Sequence, residues 1–94
     1  MSTLRQISTI GKRHHYFEPH ERIESVGGFY LGHPWQMPEY LVIYYIKKKI
    51  ERYYVIVGKK PMSIIIGIYN GKEYLKTELD DYSPDILLAL PRHD

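Results

Sequence analysis

An Asn-Gly pair at positions 70 and 71 stands between two strand-forming runs, Met62–Tyr69 and Lys72–Glu78. Asn-Gly places both turn residues at positive φ, as a two-residue type I′ hairpin requires, and the twist of that turn matches the right-handed twist of the strands it joins. The C-terminal half is therefore expected to carry an antiparallel hairpin. In its first strand Ile64, Ile66 and Ile68 share one face, with Ile65, Gly67 and Tyr69 on the other. A strand apolar on both faces is predicted to be central and covered on both sides, or to meet a partner chain. Gly67 leaves a gap that a neighbouring side chain or backbone can approach.

The remaining elements are read outward from this hairpin. Leu4, Ile7 and Ile10 form a short strand ended by Gly11, and the polar stretch Lys12–Glu21 reads as a loop. Arg22–Val26 starts a second strand, with Gly27-Gly28 as a bulge or turn before Phe29–Leu31. Gly32-His33-Pro34 then breaks the chain. Pro38 suits the first turn of a helix and Glu39 complements its positive end. Val42, Ile43, Ile46 and Ile50 fall on one helical face, and Lys47, Lys48, Lys49 and Arg52 crowd the last turn, where cations suit the dipole. Propensity opposes this helix, since Val, Ile and Tyr prefer strands; the lysine block, out of place on a half-buried strand, decides for helix. Tyr53–Val57 is a strand, Gly58–Lys60 turns it, and Pro61 belongs at a strand start or edge. Tyr74, Lys76 and Glu78 oppose Leu75 and Thr77 by alternation, and Ser83-Pro84-Asp85 caps a short helix running to Leu88 and closed by Pro91. The expected architecture is one α+β domain over residues 1–94. It has an antiparallel sheet of four or five strands, one main helix packed on it and a short C-terminal helix.

At 94 residues there is room for one core. The absence of cysteine removes thiol catalysis and thiolate metal sites, and favours a reducing compartment. The start lacks a signal-peptide stretch, and the longest apolar run, Tyr40–Ile46, is too short to span a bilayer. A soluble, cytoplasmic protein with no membrane partner is expected. The net charge of +2 is too slight to mark a nucleic-acid binder by itself. The cations do cluster, at Lys12-Arg13 beside His14 and His15, at Lys47–Lys49 with Arg52, and at Lys59-Lys60. Ten tyrosines against two phenylalanines suit wet interfaces as well as half-buried strands.

Several of these residues form a recognisable series: His20-Glu21-Arg22-Ile23, then Tyr74-Leu75-Lys76-Thr77, Asp80-Asp81, and Asp85-Ile86-Leu87-Leu88-Ala89-Leu90-Pro91. The series resembles a family of small, mostly bacterial and phage proteins designated a domain of unknown function. Its pattern there reads approximately Tyr-Leu-Arg/Lys-Thr, an acidic turn, and Asp-Asn-Leu-Leu-Ala/Ser-Leu-Pro. Ile86 departs from the family's Asn. The resemblance implies a small α+β fold and says nothing about chemistry.

No nucleophile elbow and no phosphate loop is present, so catalysis has no sequence support and a non-enzymatic role is expected. His14, His15 and His20 with Glu18 and Glu21 offer nitrogen and oxygen donors, but in no regular metal-ligand spacing, so no metal and no cofactor is expected. His33 is expected to pack on the Trp35 indole. Glu78, Asp80, Asp81 and Asp85 read as a turn followed by a helix cap rather than a cation site. The remaining signal is Tyr44 and Tyr45 beside Lys47, Lys48, Lys49 and Arg52, aromatic plates next to cations, as in sites that hold nucleotides and single strands. Against it stands the plainer reading of core tyrosines and a solvated lysine face. The leading expectation is a homo-oligomeric protein that captures an anionic, nucleotide-like signal molecule, as a phage protein sequestering a host immune signal would. Single-stranded nucleic-acid binding and a ligand-free protein–protein module are the alternatives.

Overall fold

A computed structural model describes residues 3–14, 17–80 and 83–93. Among these, seven strands and two helices follow one another: β1 (Thr3–Gln6), β2 (Thr9–Lys12), β3 (Ile23–Tyr30), β4 (His33–Pro38), α1 (Glu39–Lys47), β5 (Glu51–Val57), β6 (Lys60–Tyr69), β7 (Lys72–Thr77) and α2 (Asp85–Leu88). A single 3-10 turn, Pro19–Glu21, interrupts the loop before β3. The strands form two sheets, not the single antiparallel sheet expected. One has the order β1-β5-β6-β7 and the other β2-β3-β4. The first is mixed, because β1 pairs parallel to β5. A parallel neighbour needs a long crossover, and here the whole second sheet together with α1 supplies it.

The two sheets join where β1 runs into β2. The Ile7 amide donates to Tyr54 O at 2.8 Å, in the first sheet, and the Ser8 amide to Gly27 O at 2.9 Å, in the second. Leu4 and Ile10 thus lie on two different strands with Ile7 in the link between them, and Gly11 lies inside β2 rather than ending it. Buried Ile7 and Ile10 join Ile23, Val26, Val42, Ile43, Tyr53, Val55, Ile64, Leu75 and Leu87 in one core between the sheets and α1.

Asn70 and Gly71 have φ of 51° and 77°, with Tyr69 paired to Lys72, so the expected type I′ turn is present. The same geometry recurs at Gly58-Lys59 and at Leu31-Gly32, where Leu31 takes φ 50°. The second of these is a hairpin turn where a chain break was expected. His33 and Pro34 already lie on β4, an edge strand that tolerates proline. Gly27 and Gly28 are neither bulge nor turn; they sit mid-strand, where a side chain at Gly27 would come 2.7 Å from the Trp35 carbonyl oxygen and one at Gly28 would strike that of Gln6.

Helix α1 buries Val42 and Ile43 as its spacing predicts, yet stops at Lys47. The Lys49 amide donates to Ile46 O at 3.1 Å and the Ile50 amide to Tyr45 O at 2.9 Å. These two bonds make a Schellman cap with Lys49, at φ 59°, in the place usually held by glycine. The extended helical face is therefore corrected: Lys48 and Lys49 form the cap, Ile50 is half exposed, and Arg52 lies on β5. Burial outweighs the lysine pattern here, because Glu51, Tyr53 and Val55 are buried by period-two alternation.

Strand β6 is central, as expected, but its second face is only partly covered. Ile64 packs in the core, whereas Ile65 is 38% exposed on the other face and Ile68 is 71% exposed near the hairpin tip. At α2 the N-cap is Pro84 rather than Ser83. The Ser83 hydroxyl donates to Asp85 Oδ1 at 2.7 Å, and the Ile86 amide donates to Asp80 Oδ1. Among the described residues, no helix is long and apolar enough to cross a membrane.

Candidate anion-binding site

Lys12 and Arg13 lie where β2 ends, and the β2–β3 register slips between Gly11 and Lys12. The loop that follows is closed by arginines bonding to backbone oxygens. Arg13 Nη1 donates to the carbonyls of Glu21 at 2.8 Å and Ile23 at 3.1 Å, and Arg22 Nε donates to that of Phe17 at 2.9 Å. Beyond α2 the chain returns beside β2. The Ile10 amide donates to Pro91 O at 3.0 Å, the His93 amide to Ile10 O at 3.1 Å, and Ile10 bridges Arg92 in parallel.

Loop and tail together bring Lys12, Arg13, His14, Arg22, Leu88 and Arg92 around a cavity of about 430 Å³. Four of these side chains are cationic, one is an imidazole, and one is an apolar wall; no carboxylate is among them. Walls of one sign around a concavity focus the field and attract oppositely charged ligands. The volume lies within the range of small-molecule sites.

Arg13 also borders a second, polar cavity of about 280 Å³, with His20, Glu21, Glu39, Tyr69, Lys72 and Glu73. The His20 ring stacks on Tyr69 at 3.8 Å and meets Tyr74 edge-on at 4.9 Å. Tyr74 in turn lies over Gly67, where a side chain would come 2.6 Å from its ring, so the gap left by Gly67 is filled by a tyrosine. Glu39 Oε2 accepts the Leu75 amide at 3.2 Å on the open edge of β7. Burial pushes the Glu39 carboxyl up to about 7, against the opposing pull of that amide and of Arg13. Burial, with Asp80 nearby, likewise raises Tyr74.

Sequence comparison matches residues 6–91 to the family described as Protein of unknown function (DUF3892). The chain belongs to that family. No curated protein and no solved structure matches it. In this DUF3892 member, several of the residues that carried the resemblance pack against one another: His20 against Tyr74, and Asp80 against Thr77, whose amide and hydroxyl donate to Asp80 Oδ2 at 3.0 and 3.1 Å.

The residues singled out from sequence divide between surfaces. Tyr44, Lys47 and Lys48 share a shallow depression of about 320 Å³ with Tyr40, Ile43 and Glu73. Lys48 Nζ lies 5.9 Å from the Tyr44 ring centre, and Lys47 Nζ is ion-paired to Glu73 at 3.1 Å. Tyr45 packs against the core, Lys49 is in the cap, and Arg52 alternates away from the buried residues of β5. Of the histidine group, His14 lines the basic cleft, His20 stacks on Tyr69, and His15 lies outside the described residues. Among the described residues, no three His, Asp or Glu side chains gather as metal ligands. Asp80 closes a turn and caps α2, Glu78 Oε1 accepts the Ser63 amide at 3.2 Å, and Asp81 lies outside the described residues. His33 is exposed, and the Trp35 indole meets Tyr53 at 6.0 Å and the Arg5 guanidinium at 5.5 Å. Sequence reasoning noted Lys12, Arg13 and His14 as a cluster but missed Arg22 and Arg92, which stand in no basic run and whose place is set by tertiary contacts.

Proposed function

We propose that this protein captures a compact, multiply charged anion, a phosphorylated nucleotide-like molecule, in the basic cleft and carries out no chemistry on it there. The carrying observation is the convergence of Lys12, Arg13, Arg22 and Arg92 with His14 on one cavity that no described carboxylate borders. Guanidinium groups suit phosphate through paired hydrogen bonds. Leu88 supplies an apolar wall for the uncharged part of such a ligand.

Single-stranded nucleic acid is the second reading, favoured by the Lys48 ammonium over the exposed Tyr44 ring at the end of α1. Self-association forms part of the proposal, because Leu4, Ile56 and Ile65 leave an apolar surface on the outer face of the first sheet. The cysteine-free composition supports a cytoplasmic setting.

Calorimetric titration with pyrophosphate, nucleoside triphosphates and a generic oligonucleotide tests the reading. Saturable binding of the small anions, weakened by salt and by Arg22→Ala or Arg92→Ala, is expected. Oligonucleotide binding lost in Tyr44→Ala and kept in the arginine variants would favour the second reading. No binding of any of them would reject both.

A further inference from the structure

The C-terminal tail carries a second constellation, independent of the anion cleft. The His93 ring lies over β2 and β3, with Nε2 2.9 Å from Ser25 Oγ and Nδ1 3.0 Å from Thr9 Oγ1. A proton on Nδ1 satisfies both contacts: Nδ1–H donates to Thr9, and Nε2 accepts the Ser25 hydroxyl proton. Gly11 makes room for this arrangement, since a side chain there would strike Ser25 Oγ and come 3.0 Å from His93 Nε2. Two depressions flank the pair. One, of about 320 Å³, has Thr9, Phe29, Pro34, Trp35, Gln36 and His93 in its walls. The other, of about 250 Å³, includes Ser25, Gln36, Met37 and Pro38. Ser25 is partly buried and borders the second depression.

We propose that Ser25 and His93 form a nucleophile–base pair for acyl transfer from small, uncharged carboxylic esters. Its parts are a hydroxyl bonded to a base, a base oriented by a third group, and an apolar recess for the acyl chain. Ser25 Oγ adds to the ester carbonyl carbon while its proton passes to His93 Nε2. The bond to the alkoxide then breaks, and the imidazolium gives that proton to the departing alcohol. Water adds to the acyl-serine, delivering a proton to the same nitrogen. The ester bond to Ser25 breaks, releasing the acid and restoring the hydroxyl. Gln36, which borders both depressions, is the side chain placed to donate to the carbonyl oxygen as it gains charge. Thr9 orients the imidazole but, being neutral, stabilises the imidazolium less than a carboxylate would, so turnover is slow. Ser25 and Thr9 lie within residues 6–91, the region that matches the family, and His93 lies just beyond it.

The test treats the full chain with a fluorophosphonate probe and with p-nitrophenyl acetate, mapping adducts by mass spectrometry. Labelling at Ser25 is expected, with a nitrophenol burst of about one equivalent. Ser25→Ala should abolish the adduct, and His93→Gln, which retains a hydrogen-bonding side chain in the tail, should slow labelling about a hundredfold or more. Circular dichroism confirms folding in each variant. A folded protein that takes no adduct at Ser25, or labels equally fast as His93→Gln, overturns the proposal and leaves the contacts as a latch holding the tail.

Discussion

The end of α1 and the cleft between loop and tail are both basic, yet they differ in how their charge is held. Lys47, Lys48 and Lys49 are adjacent in sequence and gather at the helix end, two of them on a shallow depression. There Glu73 neutralises one, Tyr44 lies under another, and the third closes the helix. Lys12, Arg13, Arg22 and Arg92 are scattered in sequence and converge on one concavity. Solvated charges are screened within about 8 Å at physiological salt and offset by a neighbouring carboxylate, whereas like charges around a concavity reinforce one another. Density along the chain is thus a poor guide to the potential a ligand meets.

The sharpest way to break this comparison is paired charge reversal. Arg22→Glu/Arg92→Glu should weaken pyrophosphate binding at least about a thousandfold, or about 4 kcal/mol. Lys48→Glu/Lys49→Glu should change it less than about threefold, since long-range screened charges contribute little. Equal losses in calorimetry would show that the helix end is the site.

Glu39 tests the link between the cleft and its neighbouring pocket through their shared Arg13. Its folded value of about 7 lies above the ordinary 4.5, so the native state holds the proton more tightly than the unfolded chain. The resulting stability is fully present below pH 4.5 and is lost as pH rises through about 7, a change of about 3 kcal/mol. Glu39→Gln can still accept the Leu75 amide and does not titrate. Its stability relative to the parent should rise by that amount between pH 4.5 and pH 8 in urea melts. An unchanged difference would remove Glu39 from the argument.

The helix end should instead respond through its backbone. Lys49→Gly relieves a left-handed lysine and should raise stability by about 1 kcal/mol, with pyrophosphate affinity unaltered. A drop in the melting temperature would disprove the strain at this cap. The smallest effect is expected at the exposed Lys47–Glu73 pair. Lys47→Ala should cost no more than about 0.5 kcal/mol, and that cost should vanish in high salt.

Elements fixed by local backbone chemistry were legible. Asn70-Gly71 sets its hairpin because few other residues accept positive φ at both positions, and Val42 and Ile43 mark the buried side of α1. The helix end is not legible in the sequence, because a run of lysines suits a dipole while alternating burial at Glu51, Tyr53 and Val55 claims the chain for β5. Gly27-Gly28 suggests a turn when read alone. What requires it to be bare is the carbonyl oxygens of Trp35 and Gln6, brought there by other strands.

The sequence by itself determined the α+β class, the C-terminal hairpin, the main helix and its buried side, since turn conformation and hydrophobic period are properties of neighbouring residues. The tertiary structure alone decided the division into two sheets, the parallel pairing of β1 with β5, and the meeting of Arg22 and Arg92 in one cleft. These depend on contacts between residues far apart in the chain, which local propensity does not encode.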